Sequence, residues 1–400
     1  MPHSSHSQSP HRDGFPDLPP FPDNIPTAPL LRISLEKLLR RDPQEEQRCW
    51  KACCDLGFFY LDLQTSLSIS DGASLTSPHE GVQSSGESLL QDANELFEVM
   101  KGFYDLDVQE KIKYDLKDQG SYFGYKGYGE GFIDKQGTRD KNEFYNISKD
   151  DILGISSPLP SPAILNPHRN LYKSYIHSSH AICMLVSSLV SSRLPLTPAA
   201  RESGGLPAMH KLTAVSGDQI RFVKAPPQEQ SLKGVALGEH TDFGSVTVLF
   251  NRLGGLQVRL PDYISPTPPA STSPPPTEIE QRLCENGWTY VRPLPGHCIV
   301  NLGDALVKFS NGILRSNIHR VVAPPGEQGR VTRYSLVYFC RPEDDVVLKR
   351  LVESGEGQQE DEDEEVTAKE WILRRALGRR KVDGWEGSGG TEKESMRVVG

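Results

Sequence analysis

Residues 239–250 read EHTDFGSVTVLF. His240 and Asp242 stand two apart, and in an extended chain residues i and i+2 share a face. Phe243, Val246, Thr247, Val248, Leu249 and Phe250 are residues that a strand favours. The stretch 243–250 is therefore predicted as a strand, with an imidazole and a carboxylate aimed at one spot at its start. Two such groups make half of a metal site. A third donor has to arrive from a distant segment, and His319, inside the alternating stretch RSNIHRVV, is the candidate. Two imidazoles and one carboxylate occupy one face of an octahedral ion and leave the other face open. Zinc takes the same ligands but favours a closed tetrahedron or a single open water. A lone His-x-Asp also fits a satisfied surface or core pair. The remaining histidines are weaker candidates: His297 sits in a turn-like PLPGH, and His177, His180 and His210 lie in or after a predicted helix with no carboxylate at a matching offset.

A second feature bears on that choice. Arg333 and Ser335, in RYSLVYF, are again i and i+2 and point to one face of a strand. A guanidinium fork with a hydroxyl beside it matches a carboxylate. Burying an arginine in so apolar a strand without an anion is expensive. The anion is either an acid of the protein or the carboxylate of a ligand. Behind a two-histidine, one-carboxylate triad of the kind that non-haem Fe(II) oxygenases use, a dicarboxylate cosubstrate explains it better.

Strands must position these groups. Candidates are 219–224, 243–250, 256–260, 288–292, 298–302, 318–322 and 333–340, and this rhythm of short strands suggests a sandwich or barrel. The half before them has a mixed α/β character. Helical patterns cover 44–56, 89–104 and 168–193, the last with Leu171, Tyr175, Ile182 and Val186 on its apolar side. Gly57 ends the first helix, and FFYLDL (58–63) follows as a strand. Residues 120–129, GSYFGYKGYG, read as a loop of glycines and tyrosines. The expected organisation is a disordered tail over 1–24, an N-terminal region over 25–204 with a flexible insertion at 64–88, a β core over 205–345 with a Pro-rich surface loop at 261–280, and a C-terminal extension over 346–400. That extension carries six consecutive acids, Glu360 to Glu365, read as a solvated loop, and a possible helix at 366–377. His3, His6 and His11 belong to the tail.

Composition narrows the class. The chain has 400 residues, a formal net charge of -9 and no basic stretch suited to nucleic acid. No segment has the length or apolarity of a membrane span or of a signal peptide. Seven cysteines, with no CxxC pair, read as reduced thiols. Together these predict a cytoplasmic protein with neither nucleic-acid nor membrane partners.

In this order, HTDFGSVTVLF with GGLQV, then VNLGDALVKFSNGILRSNIHRVV, then RYSLVYF resemble the Fe(II)- and 2-oxoglutarate-dependent dioxygenases, in the branch that looks like isopenicillin N synthase. CWKACCDLGFFYL, FYDLDVQEK and GYGEG extend the resemblance to roughly residues 25–345. It implies a mainly β fold with flanking helices: a double-stranded β-helix, or jelly-roll, core beside the N-terminal α/β region. It also implies His240, Asp242 and His319 as iron ligands, and Arg333 and Ser335 as the seat of the distal carboxylate of 2-oxoglutarate. Dioxygen is the co-reactant, and ascorbate is a further reductant that the resemblance allows. Asn301 and Asp304 match the family's NxGD strand end and are expected to serve the turn and packing. The family's RxNYYP stretch is replaced here by RFVKAP (221–226), which offers Lys224 as a second cation for the cosubstrate. The expected activity is oxidation of a small molecule of secondary or specialised metabolism, by hydroxylation, desaturation or ring formation. The pocket walls are expected to include Tyr122, Phe123, Tyr125 and Tyr128. The competing readings are an isopenicillin N synthase-type iron oxidase that does not use 2-oxoglutarate, a non-catalytic binding protein and a zinc hydrolase, the last of which leaves RYS without a role. The sequence sets neither the substrate nor the oligomeric state.

Overall fold

The structure is a computed structural model that describes residues 15–68, 85–134, 136–228, 235–271, 273–353 and 365–378. Among these residues the strands are β1 (Arg32–Ser34), β2 (Phe58–Asp62), β3 (Gly124–Lys126), β4 (Glu143–Ser148), β5 (Gln219–Ala225), β6 (Val235–His240), β7 (Val246–Asn251), β8 (Leu256–Arg259), β9 (Trp288–Tyr290), β10 (His297–Leu302), β11 (His319–Val322) and β12 (Arg333–Cys340). They form an eight-stranded sheet in the order β1-β2-β10-β7-β12-β5-β4-β3 and a four-stranded sheet in the order β6-β11-β8-β9. Except for the parallel β1–β2 pair, neighbours run antiparallel. From β5 to β8 and again from β9 to β12 the chain alternates between the two sheets. That winding makes the jelly-roll core that the sequence implied.

Side-chain parity gives the large sheet two different faces. Phe222, Val248, Leu336 and Tyr338 are fully buried on one face, in a cluster with Phe103, Tyr175, Ile176 and Ile182 from the helices Gly86–Tyr104 and Arg169–Arg193. The residues between them, among them Arg221, Val223, Leu249, Arg333, Ser335 and Val337, line the space between the sheets. One side of the sheet therefore faces helices, and the other, which carries Arg221, Arg333 and Ser335 among apolar residues, faces a cavity.

Local signals set the helices that back the sheet. Asp42 caps the helix Pro43–Asp55 by accepting from the N–H groups of Gln44 and Glu45, and Pro43 occupies its first turn. Gly57, at φ 65, ends that segment where an added Cβ would come within 1.9 Å of the Arg315 carbonyl oxygen. No disulfide joins the seven cysteines; five are buried and two half-buried. Among the described residues no helix is long and apolar enough to cross a membrane.

The structure corrects several expectations. The stretch 120–129 is not all loop, because Gly124–Lys126 is β3, paired with β4 at the edge of the large sheet. Strand β6 was not anticipated, and His240 is its last residue. Asp242 lies beyond it, in the turn that leads to β7 in the other sheet. The pair thus sits on a corner between sheets and not on one continuous strand. Of the tail 1–24, residues 1–14 lie outside the described residues, but Phe21 is buried against Tyr290 with ring centroids 6.3 Å apart. Most of the insertion 64–88 (residues 69–84) and the acidic run up to residue 364 also lie outside them. The Pro-rich stretch 261–280 is mostly exposed.

Candidate active site

The corner between β6 and β7 meets β11 across the small sheet, where His319 pairs directly with His240. The rings lie 4.1 Å apart between centroids. Ligand-capable atoms of His240, Asp242 and His319 all fall within 4.8 Å of one another, and all three residues are buried. Each imidazole has its Nδ1 on a backbone carbonyl, His240 on Gly238 O at 2.8 Å and His319 on Asn317 O at 3.1 Å. A carbonyl only accepts, so Nδ1 carries the proton and Nε2 keeps its lone pair. The Nε2 atom of His319 stands 3.8 Å from Asp242 Oδ1. The other carboxylate oxygen, Oδ2, accepts from Thr247 Oγ1 at 2.7 Å and Asn301 Nδ2 at 2.6 Å. Two oriented imidazoles and one oriented carboxylate, with the supporting hydrogen bonds usual for metal ligands, fit a divalent transition metal.

Helix Asp304–Ser310 begins directly behind this corner. The Asp304 N–H donates to the Asp242 carbonyl at 2.9 Å, and Asp304 Oδ2 accepts from Thr241 Oγ1 at 2.9 Å. Arg375, from the C-terminal helix Ala368–Gly378, completes the support. It is fully buried, forms an ion pair with Asp304 and reaches Thr241 Oγ1 at 3.2 Å. Thr241 lies between the two ligand residues of the corner. Asn301 and Asp304 therefore hold the ligand-bearing turn itself, a larger part than the turn-and-packing role expected of them. Thr247 and Arg375 were missed from the sequence. No spacing ties Arg375 to the corner, and only the docked helix brings it there.

The same cavity, about 170 Å³ in volume, is lined by His240, Asp242, His319, Arg333 and Ser335. Arg333 is buried. Its Nε donates to the Gly254 carbonyl at 2.8 Å, and its Nη1 donates to Ser335 Oγ at 2.5 Å. Among the described residues no carboxylate pairs with it, and burial alone pulls its pKa down to about 10. An internal salt bridge is thereby ruled out as the partner of RYS among those residues. A dry, uncompensated guanidinium beside a hydroxyl fits a ligand carboxylate.

Lys224 does not join this group. On β5 it alternates with Val223 and Ala225, which line the cavity, and so faces the helices. Its Nζ lies 3.3 Å from Glu143 Oε1 and 5.4 Å from the centre of the Tyr104 ring. Strand parity counted from Arg221 carries the signal for this, since i and i+3 fall on opposite faces. Of the expected wall residues, Tyr122 and Tyr125 line the cavity, Phe123 is not among its lining residues, and Tyr128 is exposed. A second cluster of potential ligands, His180, Asp218 and Cys340, lies on the helix side of the large sheet. It is satisfied internally: His180 Nε2 donates to the His210 carbonyl at 2.8 Å, and Asp218 accepts from Tyr338 Oη and from the Arg341 N–H, both at 2.7 Å.

Comparison with known proteins follows the same lines. The family model described as the 2OG-Fe(II) oxygenase superfamily matches residues 217–342, the span that holds His240, Asp242, His319, Arg333 and Ser335. A 2-oxoglutarate-dependent dioxygenase of Aspergillus fumigatus is 34% identical over 336 residues, covering 83% of this chain and 80% of the relative. The 2-oxoglutarate-dependent dioxygenase gloE of Glarea lozoyensis is 27% identical over 322 residues, covering 80% and 82%. In fold, a Neurospora crassa protein solved with alpha-KG and 5-formyluracil superposes with a TM-score of 0.61 at 20% identity, over 87% of this chain and 96% of that one. The likeness to the Aspergillus enzyme runs through both halves of the chain, and with it this protein belongs to the 2OG-Fe(II) oxygenase superfamily, as an enzyme that uses Fe(II), 2-oxoglutarate and dioxygen.

Proposed function

We propose that His240, Asp242 and His319 are the protein ligands of Fe(II), and that Arg333 with Ser335 binds the distal carboxylate of 2-oxoglutarate. The substrate is a small organic molecule of secondary or specialised metabolism, held in the same cavity and oxidised by hydroxylation, desaturation or ring formation. One observation carries this reading: a cluster of three potential ligands and a buried arginine with no acid partner among the described residues open onto one cavity.

When bound, iron with 2-oxoglutarate supplies the oxidising power, and the cosubstrate leaves as succinate and carbon dioxide. The chain's own residues do the rest. Gly238 and Asn317 carbonyls fix the imidazole tautomers. Thr247 and Asn301 hold one oxygen of Asp242, which turns the other toward the histidines. Arg333 and Ser335 fix the orientation of the cosubstrate from the far end. Apolar and aromatic walls, including Phe58, Phe144, Leu249 and Val337, keep water from the reacting atoms. Phe58 also packs its ring edge-on against His319 at 5.3 Å.

The test is an anaerobic titration of the metal-free protein with Fe(II) and then 2-oxoglutarate, followed by the visible iron-to-ligand charge-transfer band. The band is expected in the wild type and is expected to be absent in His240→Ala and His319→Ala proteins of unchanged circular dichroism. Wild-type-like iron binding in either variant would sink the ligand assignment. During turnover, one succinate per substrate oxidised is expected. Turnover without succinate means that the iron works as an oxidase and that Arg333 serves the substrate's own carboxylate.

A further inference from the structure

Strand β12 and the residue after it present five side chains to the cavity in strict alternation: Arg333, Ser335, Val337, Phe339 and Arg341. A guanidinium stands at each end, eight residues or roughly 26 Å of extended chain apart. Arg333 is assigned above to the cosubstrate. Arg341 has no place in that reading, although it is 3% exposed.

Its guanidinium is incompletely partnered. Among the described residues no carboxylate forms an ion pair with it, and its buried Nε has no hydrogen-bond partner. Nη1 donates to the Gly217 carbonyl. The guanidinium lies 5.4 Å from the centre of the Tyr122 ring and 5.3 Å from that of Phe339. Asp218 is nearby but turns its carboxylate oxygens to Tyr338 Oη and the Arg341 backbone N–H, so its charge lies close without an ion pair to the guanidinium. A buried guanidinium nitrogen left without a hydrogen-bond acceptor is costly, and a ligand carboxylate entering the cavity would supply one.

The rest of the cavity does not supply the missing charge. Its lining acids are Asp140 and Asp242. Asp140 is paired with Lys126, and Asp242 belongs to the metal cluster. A further cation, Arg221, also stands by the Phe339 ring, with its guanidinium 5.0 Å from the ring centre. Arg341 is also close to the corner, because an added Cβ on Gly244 would meet Arg341 Cγ at 2.8 Å. Gly244 is two residues from Asp242.

We infer that Arg341 is a substrate-binding residue and that the substrate is an organic anion, a carboxylate on an apolar, aromatic-compatible body, with its acid group on Arg341. The inference deepens the proposed function and rests on it, since it takes Arg333 as the cosubstrate's partner. It explains why the cavity keeps a cation at each end: one serves the cosubstrate and the other selects the substrate.

The test compares matched acids and primary amides: phenylacetate, phenylpropionate and naphthylacetate, each against its amide. Binding is read by calorimetry under anaerobic conditions, with the metal-free protein and with the Fe(II)- and 2-oxoglutarate-loaded protein. At least one acid is expected to bind about tenfold or more tightly than its amide. Arg341→Gln is expected to abolish the preference while leaving the 2-oxoglutarate band in place, which also reports that the variant is folded. Arg341→Lys, which keeps the charge, is expected to restore most of it; a purely structural arginine would not produce this pattern. Equal binding of acid and amide, no binding of any acid up to its solubility limit, or a preference that survives in Arg341→Gln would each overturn the inference. An acid preference that is lost in Arg341→Gln, in a protein whose wild type forms no 2-oxoglutarate band, upholds Arg341 and overturns the cosubstrate assignment. A wild type that forms the band but treats acid and amide alike does the reverse.

Discussion

Arg333 is where a single residue separates the proposed oxygenase from its alternatives. Its guanidinium is buried, hydrogen-bonded to Gly254 and Ser335 and, among the described residues, lacking an acid partner. A desolvated charge pair of that kind is worth roughly 2–5 kcal/mol. Arg333→Ala is therefore expected to raise the 2-oxoglutarate concentration needed for half-maximal activity by about 30-fold or more, with Fe(II) affinity unchanged. A steady-state titration of the cosubstrate checks this, and an unchanged requirement would place the carboxylate elsewhere. At this scale the sequence was most legible. His240, Asp242, His319, Arg333 and Ser335 have side-chain chemistry that is hard to bury without a ligand, and the structure gathers all five around one cavity. Lys224 was misread because its placement came from a family pattern, whereas parity along β5 decides which way it points.

At the scale of elements, the helix Ala368–Gly378 is part of the corner that carries His240 and Asp242. Arg375 compensates Asp304, and neither side chain is exposed. Removing one partner of a buried ion pair costs roughly 3–5 kcal/mol. Arg375→Ala is expected to lower the melting temperature and weaken Fe(II) binding together, because Thr241 and Asp304 lose a shared partner. Calorimetry on the variant tests both, and Asp304→Asn combined with Arg375→Met should recover part of the lost stability. The packing of helix Gly86–Tyr104 on Arg169–Arg193 offers a test by pH. Asp92 accepts from Ser174 Oγ at 2.7 Å, and burial pushes its pKa up from 3.8 to about 6. Between those values the folded protein holds a proton that the unfolded chain has released, so this group's contribution to stability falls as pH rises from 3.8 to about 6 and is flat above. Asp92→Asn is expected to raise the melting temperature at neutral pH, with the gain vanishing below pH 3.8. A gain that persists in acid would place the effect elsewhere. Helices with clear caps and apolar stripes were legible in the sequence. The edge strand β3 was not, because Gly124, Tyr125 and Lys126 gain strand character only by pairing with β4.

For the whole molecule, the site is a joint between the two sheets. His240 and His319 come from the small sheet, Arg333 and Ser335 from the large one, and Asp242 from the turn that links them. A ligand that bridges these parts binds the folded state only and must stabilise it by mass action. Iron with 2-oxoglutarate at a hundredfold excess over the dissociation constant is expected to add about 2.7 kcal/mol. The corresponding rise in melting temperature, measured anaerobically, should be largely lost in Asp242→Ala. An equal rise in that variant would mean that the ligands bind outside the corner.

The sequence by itself determined the inventory: which groups can bind a metal and a carboxylate, that they recur at spacings of two, and that short strands carry them. Those properties are local, since they follow from side-chain chemistry and from the two-residue period of an extended chain. Only the tertiary structure decided that His240 and Asp242 occupy a corner between sheets, that Arg375 reaches them from the end of the described chain, and that Arg341 lines the cavity with no ion-pair partner among the described residues. Each of these depends on which strands pair and which helix docks. Contacts between segments far apart in sequence settle that, and local periodicity does not record them.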